Sequence, residues 1–323
     1  MKYDIFAIGD TSLDVFLQIP DAAELCQLNT QDCLVCFSYA DKIVVKSLHR
    51  TIGGNSANVL VGASRLGLKT MLCGVIGNDD IGQLIINTLK KEKVNQCLAV
   101  DKKQGTNYST ILNYNGERTI LVYHYPRKYP FHSLPNCSWV YLSSVGPDFK
   151  RHYPKLLKEL KKTGSKLAFN PGTHQLKMTL AELKPLLAAT NILFVNKEEA
   201  IRILGMSNHP LVKDLVKKLC QLGPQYVCIT DGGEGACGYD GKDFYYVPVF
   251  PSPRIEATGA GDAFASGVLS GMIKANDFKE ALRWGPIQAA GVIQQIGPQA
   301  GYYRSKEFQK ILRDNPGFKA KKI

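Results

Sequence analysis

Apolar and polar positions along the chain change period several times, and the changes mark out its elements. Tyr3–Ile8 is a short apolar run, the signature of a buried strand. Ser56–Leu66 carries helical spacing, Leu68–Val75 returns to a strand, and Ile81–Lys93 is helical again. Ser138–Leu142, Lys166–Phe169, Asn191–Val195 and Gln225–Thr230 are further apolar runs, suited to a sheet covered on both faces. Helical patterns separate them at Lys150–Lys162, Lys197–Leu204 and Pro210–Leu222, and three more follow at Gly261–Lys274, Phe278–Gln295 and Lys306–Arg313. Strands alternating with helices predict an α/β fold with a mostly parallel central sheet flanked by helices.

Two segments break this rhythm. Phe16–Arg50 and Cys97–Tyr123 alternate apolar and polar residues, with a hairpin signal at Tyr114-Asn115-Gly116. They predict antiparallel strands outside the main sheet, a small β-sheet lid assembled from two insertions. The chain then divides into an α/β core (1–15, 51–96 and 124–323) and a lid (16–50 and 97–123). The closing residues FKAKKI are expected to fray.

Composition narrows the class. A chain of 323 residues, 45% apolar and 21% charged, can bury a large core. It has no apolar stretch long enough to span a membrane, and MKYDIFAIGD suits a first strand better than a signal peptide. The formal charge of +12 invites a nucleic-acid partner, but the basic residues are dispersed and interleave with no such motif. Attraction of a phosphorylated small molecule is the expected use. Nine cysteines without framework spacing suit reduced thiols in a cytoplasm, and Cys33-x-x-Cys36 lacks the second pair that a zinc site needs.

The stretch EATGAGDAFASG (256–267) holds the first candidate chemistry. Thr258-Gly259-Ala260-Gly261 can turn tightly and point several backbone N–H groups at one place, and a helix starting there favours an anion. Asp262 in the first turn could equally serve the helix alone. Asn196-Lys197-Glu198-Glu199 has the spacing of a capping box, or of a pair that holds the water shell of a phosphate-bound Mg²⁺. Thr230-Asp231-Gly232-Gly233-Glu234-Gly235 is either a turn into a hairpin or a loop for nucleotide phosphates. Gly53-Gly54-Asn55-Ser56-Ala57-Asn58 opens a helix, where Asn55 or Ser56 would be an N-cap, or binds a polyol. Gly9-Asp10-Thr11-Ser12-Leu13-Asp14 follows the first strand, where ligands bind in open α/β sheets. Of the six histidines, His49 beside the di-glycine is the one to watch.

Each motif is ambiguous alone; their order is not. G-D-x-x-x-D, G-G-N-x-A-N, N-x-x-E, D-G-x-x-G and T-G-A-G-D together resemble the ribokinase-like, or PfkB, family of carbohydrate kinases, from Ile8 to about Gly301. The resemblance implies a ribokinase-like fold with an eight- or nine-stranded core, a lid able to pair in a homodimer, and phosphoryl transfer from ATP to a hydroxymethyl group. By position it implies Asp262 as catalytic base, with Gly259, Ala260 and Gly261 as the anion hole. Asn196 and Glu199 match the Mg²⁺–phosphate motif. Thr230, Asp231, Gly232, Gly235 and Thr258 fall on the nucleotide side, and Ser12, Asp14, Gly53, Gly54, Asn55 and Asn58 on the acceptor side. Glu256 replaces the aspartate that the family associates with a monovalent cation, so K⁺ activation does not follow from the resemblance. A small sugar is the expected acceptor and a nucleoside the alternative; a non-catalytic sensor is the competing class. Phosphosugars are disfavoured because Asn55 stands where many phosphosugar kinases have a lysine.

Overall fold

The computed structural model describes residues 2–19, 23–26, 33–114, 117–206 and 210–323, with backbone alone at 23–26, 33 and 34. The Asn115-Gly116 turn, His209 and the Cys33 side chain therefore lie outside the described residues. The chain begins with β1 (Tyr3–Ile8), β2 (Ser12–Gln18), β3 (Ala23–Cys26), β4 (Cys33–Cys36), β5 (Ser47–Gly53) and α1 (Asn55–Arg65). There follow β6 (Thr70–Gly77), α2 (Asp80–Lys91), β7 (Asn95–Asp101), β8 (Asn107–Tyr114), β9 (Glu117–Tyr123) and β10 (Cys137–Leu142). The second half holds α3 (Tyr153–Thr163), β11 (Lys166–Phe169), α4 (Leu180–Ala189), β12 (Ile192–Asn196), α5 (Lys197–Leu204) and α6 (Val212–Cys220). It closes with β13 (Tyr226–Thr230), β14 (Ala236–Tyr239), β15 (Phe244–Val247), α7 (Ala260–Lys274), α8 (Phe278–Val292), α9 (Ser305–Asp314) and β16 (Lys321–Lys322).

The large sheet has ten strands in the order β16-β15-β14-β13-β12-β11-β10-β1-β6-β7, parallel from β13 to β7. Its strands read as continuous apolar runs because both faces are covered. One face meets α1, α2, α7 and α8 through residues such as Leu60, Leu72, Leu89 and Leu269, and the other meets α3 to α6 through Leu156, Leu186 and Leu215. Each fully buried leucine of this kind contributes about 1.5–3 kcal/mol. Helix starts follow local chemistry: Asp79 accepts from the Gly82 N–H, and Thr179 and Glu182 form a capping box on α4.

Three expectations change. The sheet exceeds the eight or nine strands implied, because the tail does not fray: Lys321 and Lys322 pair with Tyr246 and Tyr245, and Ala320 beside them is buried. The lid sheet has the order β5-β2-β8-β9, and β7, assigned from Cys97 onward to the lid, is instead the edge strand of the large sheet. Its alternation reflects an edge strand with one side open to water. The lid is also not wholly antiparallel: β2 and β8 leave the core in the same direction and pair in parallel, while β5 and β9 flank them antiparallel.

Candidate active site

Three of the motifs follow parallel strands of the large sheet, which release their turns at one edge. Ile8, Leu142, Phe169, Asn196 and Thr230 end β1, β10, β11, β12 and β13. Past β1, the Asp10 N–H donates to Ser144 O, and Asp10 Oδ1 accepts from the Tyr129 hydroxyl at 2.7 Å. Tyr129 is fixed in turn by the Gly146 N–H. Asp10 Oδ2 is buried without a partner, and burial, opposed by the Tyr129 bond, pushes the carboxyl up to about 6. Asp10→Asn should therefore unfold at a higher temperature than the parent at pH 7.5 and at the same temperature at pH 4. A raised carboxyl favours the folded state below its unfolded value and loses that contribution as pH rises through the folded one. A parent and variant that differ equally at both pH values would refute this.

On β2, the Ser12 hydroxyl donates to Asp14 Oδ1 at 2.7 Å, and Asp14 is buried. Burial pushes its carboxyl up against hydrogen bonds from Ser12 and Ser109, and the Glu256 charge adds to the rise. Gly53 lies opposite Ser12, and a Cβ there would sit 1.9 Å from Asp14 Oδ2. Gly54 has φ 101°, and a Cβ on it would come within 2.2 Å of the Asp10 carbonyl, so only glycine fits.

Neither Asn55 nor Ser56 caps α1. Gly54 is the N-cap and supplies no side chain; Ser56 donates to the Ile8 carbonyl instead. Both asparagines turn to the other helix. Asn55 Nδ2 donates to Asp262 Oδ1 at 3.1 Å, Asn58 Nδ2 donates to Oδ2 at 2.8 Å, and Gln299 Nε2 holds Asn58 Oδ1. The Asp262 carboxylate is thus occupied by the neighbouring helix rather than by its own first turn. It is buried, and desolvation raises it to about 6 against the two asparagine bonds, with the Asp14 charge adding to the rise.

The start of α7 is shaped by glycine. Gly259, its N-cap, has φ 83°, and a Cβ there would meet Pro298 Cβ at 2.5 Å. A Cβ on Gly261 would meet nothing within 4 Å, so the space in front of the helix is open. Helix geometry leaves the Gly261 and Asp262 N–H groups without helical acceptors. Glu256 Oε1 accepts from the Thr258 N–H and hydroxyl at 2.7 and 2.6 Å, while Oε2 is buried without a partner. The Glu256 and Ile255 N–H groups both donate to Ile293 O, tying this loop to the end of α8.

On the other side, Asn196 and Glu199 form a complete capping box on α5. Burial raises the Glu199 carboxyl, and the Asp262 charge is among the causes. Asn196 pairs in register with Thr230. Lys197 Nζ lies 2.9 Å from Asp231 Oδ2, and Gly232 to Glu234 make one 3₁₀ turn that ends at Gly235. No hydrogen bond among the described residues links Thr230, Gly232 or Gly235 to Asp262. Besides Tyr129 and Asn170, two further residues escaped sequence reading. Tyr141 donates to Asn170 Oδ1 at 3.2 Å, and burial with the Asp262 and Glu199 charges drives its phenol far up. Gln299 is the other; nothing in a loop glutamine signals that it holds Asn58. His49 is exposed on β5, and the histidines that meet are His124 and His174, with ring centroids 6.2 Å apart.

The profile described as pfkB family carbohydrate kinase matches residues 26–304. The ATP-dependent 6-phosphofructokinase of Thermoanaerobacterium thermosaccharolyticum is 23% identical over 313 residues, spanning 92% of this chain and 89% of its own length. The nucleoside kinase of Methanothermobacter thermautotrophicus is 23% identical over 304 residues, spanning 92% and 91%. Among solved structures, Arabidopsis thaliana ribokinase complexed with ribose and ATP superposes with a TM-score of 0.78 at 20% identity, covering 97% of this chain and 99% of that one. The nucleoside kinase of Methanocaldococcus jannaschii gives 0.75 at 21% identity, covering 97% and 98%.

Proposed function

Because the chain belongs to the pfkB family of carbohydrate kinases and is a phosphotransferase acting on an alcohol group, we propose that it transfers the terminal phosphoryl of ATP to a hydroxymethyl group of a small sugar, with Asp262 as base. One observation carries this reading: a buried carboxylate at the start of α7, unused by its own helix, is held from the acceptor side by Asn55 and Asn58. Two donors on two different oxygens fix the carboxylate plane, and a carboxyl at about 6 is ionised at neutral pH yet close enough to accept a proton. Ser12 and Asp14, locked together by the Ser12 hydroxyl, offer acceptor oxygens to the substrate's hydroxyls, and Gly53 and Gly54 let the backbone pack closely against Asp14 and Asp10.

The residues fit a nucleotide. No side chain meets Gly261, and the positive end of α7 with the N–H groups of Gly259 and Gly261 can receive charge that develops on the transferring phosphoryl, while the Ala260 N–H between them is held by the Ala257 carbonyl. Thr258 stands at the mouth of that turn, and Asn196, Thr230, Asp231, Gly232 and Gly235 line the nucleotide side. Only Oε2 of Glu199 is taken by the capping box, so the carboxylate fits a Mg²⁺ reached through water. When bound, Mg²⁺ would neutralise phosphate charge. The partnerless Glu256 Oε2 likewise fits a monovalent cation such as K⁺.

A nucleoside is the second reading, favoured by the nucleoside kinases among the relatives and solved structures. The reading includes a cytoplasmic enzyme, where ATP is made and thiols stay reduced. It also includes a homodimer through the lid, whose β9 exposes Ile120, Leu121, Val122 and Tyr123. ADP release measured over a panel of sugars and nucleosides is the direct test. Release should depend on one added acceptor and should fall about tenfold per pH unit below about 6, as the base protonates. ADP release that no acceptor in the panel stimulates would sink the kinase reading.

A further inference from the structure

The register of β6 and β7 sets Cys73 directly opposite Cys97, and paired residues of neighbouring strands carry their side chains on the same face of a sheet. That face carries Met71, Cys73, Val75 and Ala99. The helix that packs on these two strands, α2, lies on the opposite face, where Ile85 and Leu89 meet Leu72 and Leu98. The pair therefore sits at the sheet edge: Cys97 is exposed, Cys73 is partly buried, and both are free thiols. Cys97 is the exposed cysteine among the described free thiols. Burial first, then the adjacent Cys97 sulfur, pushes the Cys73 thiol up to about 12, so the inner sulfur keeps its proton. Nothing in the transfer reaction uses either thiol.

The backbone beneath them does matter to the acceptor turn. The Cys73 carbonyl accepts the Gly9 N–H at 3.1 Å. A Cβ on Gly74 would lie 2.6 Å from Gly9 O, so β6 has no slack against the turn that carries Asp10. Beyond β7, residues 102–106 lead straight into the lid strand β8.

We propose that Cys73 and Cys97 are an oxidisable dithiol that closes into a cross-strand disulfide with hydrogen peroxide and so displaces the acceptor turn. The exposed Cys97 sulfur attacks one peroxide oxygen; the O–O bond breaks, one water leaves, and Cys97 becomes a sulfenic acid. The Cys73 sulfur then attacks the Cys97 sulfur while its proton passes to the departing hydroxyl, the S–O bond breaks, and a second water leaves. Two thiols and one peroxide give one disulfide and two waters. Neighbouring strands hold Cα atoms about 4.8 Å apart, inside the range that disulfides span, but the Cβ atoms must close to about 3.8 Å. The bond thus pulls β7 toward β6, and a bond strained in this way is easily reduced.

The test uses the full-length protein, treated with stoichiometric peroxide under native conditions, alkylated and digested with trypsin without reduction. The fragments Thr70–Lys90 and Val94–Lys102 should emerge as one species, lighter than their sum by two hydrogens and split by dithiothreitol. Cys97→Ser should keep the basal activity and yield no linked species. Recovery of both fragments singly alkylated after peroxide treatment would overturn the proposal. The acceptor effect rests on the kinase reading, whereas the fragment map does not. Oxidation should raise the acceptor KM severalfold in the parent, reversibly, and leave Cys97→Ser unmoved; a linked species with an unchanged KM would refute the link to the acceptor turn.

Discussion

Asp262→Asn is expected to lower kcat by roughly 10²–10⁴ while leaving acceptor KM nearly unchanged. The amide keeps the size and plane of the carboxylate but cannot take the acceptor's proton. It also brings a donor against a donor, because Asn55 and Asn58 each give an N–H to one carboxylate oxygen. One of those two bonds must be lost, yet a buried charge is removed at the same time, so the fold should survive. Asn58→Ala separates the base from its support. The Asn58 bond holds the Asp262 carboxyl down, so its removal should move the acid limb of the kcat profile to higher pH. A loss of activity with an unmoved limb would mean that Asn58 only shapes the pocket. Near-normal turnover in Asp262→Asn would remove Asp262 from the mechanism.

Arg65→Ala should cost roughly 2–4 kcal/mol of stability, between the values typical of buried and of exposed ion pairs. Arg65 grips Glu92 with two nitrogens at 2.9 Å each, and its third nitrogen donates to the carbonyls of Gln299, Ala300 and Tyr302. Truncation leaves Glu92, whose side chain is only 11% exposed, with the 3.9 Å contact of Arg304 in place of the fork, and frees the 299–302 loop. Arg65→Lys should recover only part of the loss, because an ammonium cannot form the planar fork. The hydrogen bond from Arg65 is the chief reason the Glu92 carboxyl lies below its ordinary 4.5. A lowered carboxyl contributes its stability above the unfolded value and loses it as pH falls through the folded one, so the gap between parent and variant should narrow at acid pH toward what the carbonyl bonds alone contribute. Urea midpoints at pH 7 and pH 3.5 measure both effects, and equal midpoints at pH 7 would refute the first. The loop also carries Gln299, which holds Asn58, so activity should decline alongside stability.

The fold was legible where period and burial agree. Strands such as Ile192–Asn196 are covered on both faces and show as apolar runs, and the helices between them keep their spacing. Edge strands misled: β7 alternates as a lid strand would, since one of its sides meets water. The tail misled for another reason, because its lysines are held by backbone pairing to β15, which leaves no apolar trace. At the candidate site, chain order grouped the motifs but could not say who binds whom. Asn55 looks like a cap until α1 and α7 are docked, and the contact joins residues 207 positions apart. The capping box of Asn196 and Glu199 is local, and its spacing alone foretold it.

Asp10, Asp14 and Asp262 share one property, a carboxyl pushed upward chiefly by burial. Heat-resistance selection at neutral pH, applied without an activity screen, would therefore enrich amides and alanines at these three positions first. Each would relieve a buried charge that the rest of the fold has to tolerate. The survivors would fold better and, on the reading above, catalyse little, so a library built for robustness has to hold these aspartates fixed.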